Sequence, residues 1–255
     1  SIGIDFFFKS SISSFNFFKE ATGGFSSITI KNLLLENLYS FPVAKDMVKF
    51  KLHFHADCDG ITSAYFFSRE FDRLGFQYDL YPSLGASVQL KGSNNIALDL
   101  SDVSPENPLN FSLDHHITEN HPLLHANFRR VGFEWPVSFS SYLLFGTLDT
   151  AWVSAIGVIA DWCAEKVPDT FWENIRERWP DFEIPKKINQ QELIRGVWGK
   201  MANMIDASVA VNKQSGAVYA LQALRESESP DDFLSGKGKA EKLVKLREKI
   251  LAEVN

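Results

Sequence analysis

Apolar and polar residues alternate from Val48 to Phe54 (Val-Lys-Phe-Lys-Leu-His-Phe), and the pattern predicts a half-buried strand. Gly60 permits a tight turn, and residues 61–74 read as the next helix, with Ala64, Phe67, Phe71 and Leu74 on its apolar face and Gly75 as its stop. Residues 77–81 read as a second strand and 82–94 as a Gly/Ser-containing loop. Residues 95–100 (Asn-Ile-Ala-Leu-Asp-Leu) form an almost continuous apolar run, as in a buried parallel strand. Shorter strands are predicted at 110–113 and 123–128. After Pro136 the periodicity turns helical, at 138–148, 151–165, 169–178, 188–208, 213–226 and 238–254. Strands joined by crossovers predict an α/β fold with a mostly parallel, Rossmann-like sheet of five strands, followed by a helical segment.

Composition narrows the class. A chain of 255 residues, 45% of them apolar, has enough material for one large domain or a domain with an appendage. The net charge of −6 gives no general attraction to a long polyanion. The two cysteines, Cys58 and Cys163, lack metal-type spacing and suggest a reducing compartment, with small buried packing roles. No apolar run approaches the ~20 residues of a membrane span, and no secretory signal pattern opens the chain, so a cytoplasmic location is expected. Residues 1–46 differ in character: eight phenylalanines (Phe6, Phe7, Phe8, Phe15, Phe17, Phe18, Phe25, Phe41) lie among Ser, Asn and Lys without a clear period. They read either as an extension preceding a natural start at Met47 or as an aromatic arm packing on the domain or a second subunit.

The candidate chemistry sits where predicted strands end. His55, Asp57 and Asp59 follow the first strand, Asp99 ends the third, and Asp114, His115 and His116 end the fourth. Open α/β sheets place their sites at such edges. Asp161 lies within an apolar helical run, where a carboxylate needs a partner, whether a metal or a neighbouring Arg or Lys. Singly, each residue also reads as a helix cap, a core histidine or a turn. Together they suit two cations, and their carboxylate excess favours Mn2+ or Mg2+ over zinc. Arg129 and Arg130 could clamp a phosphate or equally belong to a solvated turn.

The strings His55-Ala56-Asp57-Cys58-Asp59-Gly60, Ala97-Leu98-Asp99, Leu113-Asp114-His115-His116 and Gly157-Val158-Ile159-Ala160-Asp161 resemble, in order and spacing, the four motifs of the DHH phosphoesterase superfamily. The first is closest to the RecJ-like and nano-RNase-like branch. The resemblance implies a DHH domain over residues 47–236, a connector helix at 237–255, and one metal held by His55, Asp57 and Asp99. The second metal would be held by Asp59, Asp99, His115 and Asp161, with His53 as the alternative first-motif ligand. It further implies that His116 contacts the substrate phosphate and Asp114 orients the histidine pair. The implied activity is Mn2+- or Mg2+-dependent hydrolysis of single-stranded or short oligonucleotides. The alternatives are a small-phosphate hydrolase of the same superfamily, acting on a cyclic dinucleotide, pyrophosphate or polyphosphate, and a non-catalytic scaffold. The Gly-rich signature of the family's C-terminal DHH-associated domain does not occur in this sequence. No membrane partner is expected; a homo-oligomer is left open.

Overall fold

A computed structural model describes residues 49–107, 110–122 and 124–254. The Phe-rich stretch 1–46 and Met47 lie outside the described residues. Strand β1 (Lys49–His55) buries Phe50, Leu52 and Phe54 on one face and leaves Lys51, His53 and His55 half-covered on the other, as a period of two requires. Helix α1 (Cys58–Leu74) follows, then β2 (Gln77–Ser83). Short strands β3 (Ser87–Leu90), β4 (Asn95–Leu98), β5 (Asp102–Pro105), β6 (Phe111–Asp114) and β7 (Leu124–Asn127) complete the β structure.

The main sheet has the order β2-β1-β4-β6-β7, and each adjacent pair is parallel. Phe54 is in register with Leu98, and Leu98 with Leu113, so the carboxyl ends of β1, β4 and β6 lie side by side. That alignment brings His55, Asp99 and Asp114 to one edge. The sequence missed a second, two-stranded parallel sheet of β3 and β5, within and after the predicted 82–94 loop. It sets Leu90 and Val103, with Leu100, against Ala97, forming a small apolar layer on β4.

The remaining α-helices among the described residues are α2 (Val137–Phe145), α3 (Ala151–Ala160), α4 (Asp169–Arg178), α5 (Gln190–Arg195), α6 (Val197–Glu226), α7 (Pro230–Ser235) and α8 (Ala240–Val254). Helices α2, α3 and α6 pack on α1, and the core contains the fully buried Trp152, Trp172, Trp198, Phe139 and Phe171. Burying a side chain of this size is worth about 1.5–3 kcal/mol. Gly157 allows the close approach of α3: a Cβ there would lie 2.3 Å from Thr62 Oγ1 and 2.6 Å from Ser138 Cβ. The predicted helices 188–208 and 213–226 are instead α5 and a long α6, whose joint is Lys213 at φ 53 and ψ −133. Helix α8 packs on α6 and α7 through the buried Ala240 and Leu243. Among the described residues, no helix is long and apolar enough to cross a membrane.

Candidate metal centre

The first motif is locked in place by its own backbone. Asp57 caps α1, its Oδ1 accepting from the Gly60 N–H at 2.9 Å, as an aspartate at this position commonly does. Its other oxygen, Oδ2, faces His55 Nδ1 at 2.6 Å. Gly60 is required because a Cβ there would lie 2.2 Å from the His55 carbonyl oxygen. Asp59 points the other way. Its Oδ2 and Oδ1 accept the backbone N–H groups of Val137 and Ser138, each at 2.8 Å, at the start of α2, whose preceding Pro136 provides no side-chain cap. Capping and a ligand role are therefore compatible at both carboxylates.

Asp99 follows β4 in a left-handed backbone conformation (φ 56), which Asp tolerates better than most residues. Its N–H donates to the Leu113 carbonyl at 3.0 Å. The buried carboxylate has Oδ2 3.6 Å from His55 Nδ1 and Oδ1 3.4 Å from His115 Nε2. Oδ1 has no hydrogen-bond partner. A buried carboxylate oxygen without one carries a desolvation cost unless a cation or ordered water meets it.

Among the described residues, three sets of side chains could each hold a metal ion, their donor atoms lying within 4.8 Å of one another: His55, Asp57 and Asp99; Asp59, His115 and Asp161; and Asp99, His115 and His116. Asp99 and His115 each belong to two sets, so the donors form a single centre. Asp114 stands behind it, buried, with Oδ1 accepting from His116 Nδ1 at 2.8 Å and Oδ2 from the His116 backbone N–H at 3.2 Å. Its hydrogen bond goes to His116 alone, and His115 instead faces Asp99 and, at 3.8 Å through Nδ1, Asp161. His53 belongs to none of these sets. It bonds Asn95 Oδ1 at 3.0 Å and stacks on Tyr81.

Asp161 sits at the C-cap of α3 rather than inside a helix running to residue 165. The end is a Schellman motif: Cys163 N–H donates to Val158 O at 3.0 Å and Trp162 N–H to Ile159 O at 3.2 Å. Gln190 braces the turn, Nε2 donating to Ile159 O at 2.7 Å and Oε1 accepting from Ala164 N–H at 3.0 Å. Trp172 Nε1 adds a bond to Ala164 O at 3.0 Å. Sequence reasoning missed Gln190, and it missed Asn127, whose Nδ2 donates to the His116 carbonyl at 2.6 Å. It also missed Asp206 on α6, which accepts from the Cys58 thiol at 3.3 Å. Arg130 is bonded to the Thr118 carbonyl, while Arg129 lies 3.9 Å from Glu134.

The charge balance explains the protonation states. Burial, then the nearby Asp99 and Asp161, push Asp59 well above the usual carboxylate range despite its two N–H donors. Burial likewise raises Asp161, with His115 opposing. Hydrogen bonds to Asp57 and then Asp99 raise His55 to about 10. For His115, burial opposes the charge, but the adjacent Asp99 carboxylate and the other carboxylates around it outweigh it and raise the group to about 10. Two imidazolium protons thus balance a cluster of carboxylates that would otherwise repel one another. Divalent cations would do the same with more charge.

The chain matches no family sequence model and no curated protein sequence. Solved structures do match its fold. RecJ of Thermus thermophilus, crystallised in complex with Mn2+, aligns with a TM-score of 0.53 at 17% identity, over 87% of this chain and 37% of that one. The fold is RecJ-like. RecJ from the same source in complex with Mg2+ gives a TM-score of 0.47 at 17% identity, covering 87% of this chain and 34% of that one. CDC45 of Entamoeba histolytica gives a TM-score of 0.39 at 13% identity, covering 89% and 56%. The chain thus spans little more than a third of the RecJ chain, and at such identities the likeness is one of fold.

Proposed function

We propose that this chain is a divalent-metal-dependent phosphodiesterase acting on single-stranded or short oligonucleotides. The observation that carries the reading is Asp99: a buried carboxylate, shared by two candidate ligand sets, with Oδ1 lacking a hydrogen-bond partner. The donor chemistry fits the cations, since oxygen ligands with a few imidazoles suit Mn2+ or Mg2+, and no cysteine belongs to the sets. His55, Asp57 and Asp99 would hold one ion; Asp59, His115 and Asp161, with Asp99 shared, the other.

Paired divalent cations supply an activated water at neutral pH and stabilise charge on attacking and leaving oxygens. The chain's own groups do the rest. Asp114 fixes His116 with its Nδ1–H directed at the carboxylate, which leaves Nε2 to hydrogen-bond a phosphate oxygen of the substrate. Asn127 holds the His116 carbonyl and so limits movement of that loop. The donors sit at the carboxyl edge, with α1 beginning at the first motif, where open α/β sheets take their ligands.

The test is nucleotide release from a labelled trinucleotide, a long single strand and, in parallel, pyrophosphate, each with Mn2+. Hydrolysis of either oligonucleotide, lost in Asp99→Asn, is expected. Turnover of pyrophosphate alone would make the chain a small-phosphate hydrolase. Mn2+ binding by calorimetry without turnover of any of the three would leave a scaffold.

A further inference from the structure

The turn that carries Asp161 also carries a tryptophan where a glycine would ordinarily stand. Trp162 occupies the left-handed position of the Schellman motif at φ 57, a conformation that bulky side chains rarely adopt. Strain of this kind persists only where surrounding contacts over-determine the backbone, and it concentrates at functional sites. Here Gln190 and Trp172 supply those contacts by holding the carbonyls of Ile159 and Ala164 and the N–H of Ala164.

The ring gains little from the protein in return. Trp162 is 58% exposed, whereas the other five tryptophans are 9% exposed or less. A large apolar ring exposed on a braced backbone turn, one residue from a candidate metal ligand, is placed for a planar partner. The same turn runs on to Lys166, which pairs with Glu134 at 2.5 Å, and Glu134 lies 3.9 Å from Arg129. An exposed aromatic ring and a cationic side chain thus lie within five residues of Asp161, with Arg129 beside the same Glu134 that pairs with Lys166; stacking and backbone charge of this kind grip single-stranded nucleotides.

Building on the phosphodiesterase reading, we infer that Trp162 is a stacking platform for the base of the nucleotide adjoining the phosphate at the metal centre. Lys166 and Arg129 flank it as contacts for the next phosphate. The substrate class is then a nucleotide chain with at least one unpaired base; pyrophosphate and polyphosphate offer nothing to stack.

Trp162→Gly suits the test, because glycine accepts the left-handed backbone and should keep or raise the melting temperature. With the full chain and Mg2+, acrylamide quenching of tryptophan emission reports mainly on Trp162. A phosphorothioate-linked dinucleotide should protect that emission and pyrophosphate should not. In Mn2+ assays, the kcat/KM preference for a dinucleotide over an analogue lacking the base beside the scissile phosphate should fall about tenfold to a hundredfold in Trp162→Gly. Trp162→Phe should restore most of it. Unprotected emission in the wild type, or an undiminished preference in Trp162→Gly, overturns the inference. Absence of turnover in the wild type would instead count against the phosphodiesterase reading, and the quenching arm would still decide the stacking role.

Discussion

Asp59 Oδ2 accepts the Val137 backbone N–H at 2.8 Å across 78 residues of chain, tying the first motif to the start of α2. With the matching bond from Ser138 to Oδ1, one carboxylate serves as the cap of a buried helix and as a candidate ligand.

Asp59 and Asp161 should therefore behave differently when replaced. Asp59→Ala strands two buried N–H groups and should cost the metal-free protein about 2–4 kcal/mol. Asp161 accepts from the Cys163 thiol at 3.3 Å, a weak donor, so Asp161→Ala should leave metal-free stability nearly intact. Both should lose Mn2+-induced stabilisation. Urea melts with and without Mn2+ check this; equal metal-free midpoints would refute the capping role.

Asp114 touches His116 but belongs to none of the candidate metal sets. Asp114→Asn should reduce kcat by about 10- to 100-fold, the usual effect of disturbing a ligand-orienting group. Mn2+ affinity should change far less, as titration calorimetry beside steady-state kinetics would reveal.

The raised histidines set the direction of the pH response. Their folded-state pKa of about 10 lies above the ordinary value of 6.5, so their contribution to metal-free stability is complete below 6.5 and lost as pH rises through 10. Metal binding works in the opposite sense, because His55 and His115 must release their protons to become ligands. The rise in melting temperature produced by a fixed Mg2+ concentration should therefore grow as pH increases from 6.5 towards 10. Proton release on binding, read by calorimetry in buffers of different ionisation enthalpy, checks the same point.

Gly157→Ala pushes a methyl group against Thr62 Oγ1 and Ser138 Cβ, where α1, α2 and α3 meet. Overpacking at such a junction should cost about 1–3 kcal/mol. A denaturant melt gives the value directly, and an unaltered midpoint would mean that α3 can shift outward.

Much of this arrangement was legible because strand periodicity and chemistry coincide. The alternation in residues 48–54 placed Phe50, Leu52 and Phe54 inward, and a parallel sheet necessarily collects its strand-end residues at one edge. That logic anticipated the neighbourhood of His55, Asp99 and Asp114. It could not anticipate β3 and β5, four-residue strands that contribute Val88, Leu90 and Val103 to a small layer and depend on each other for pairing. The end of α3 was hidden for a similar reason: Trp162, Cys163 and Ala164 carry no glycine or proline stop signal. The helix ends where Gln190, distant in sequence, holds the Ile159 carbonyl. Asn127 and the Asp59–Val137 bond are likewise tertiary, with no local pattern to reveal them.

The candidate donors are scattered from His55 to Asp161, and the last of them arrives only with the helix that roofs α1. A polypeptide emerging from the ribosome would thus complete the His55, Asp57 and Asp99 set with its β layer, well before the set that needs Asp161 exists. Uptake of the second Mn2+ during refolding should lag behind secondary-structure formation and coincide with the final docking of α3, making that ion a reporter of completed assembly.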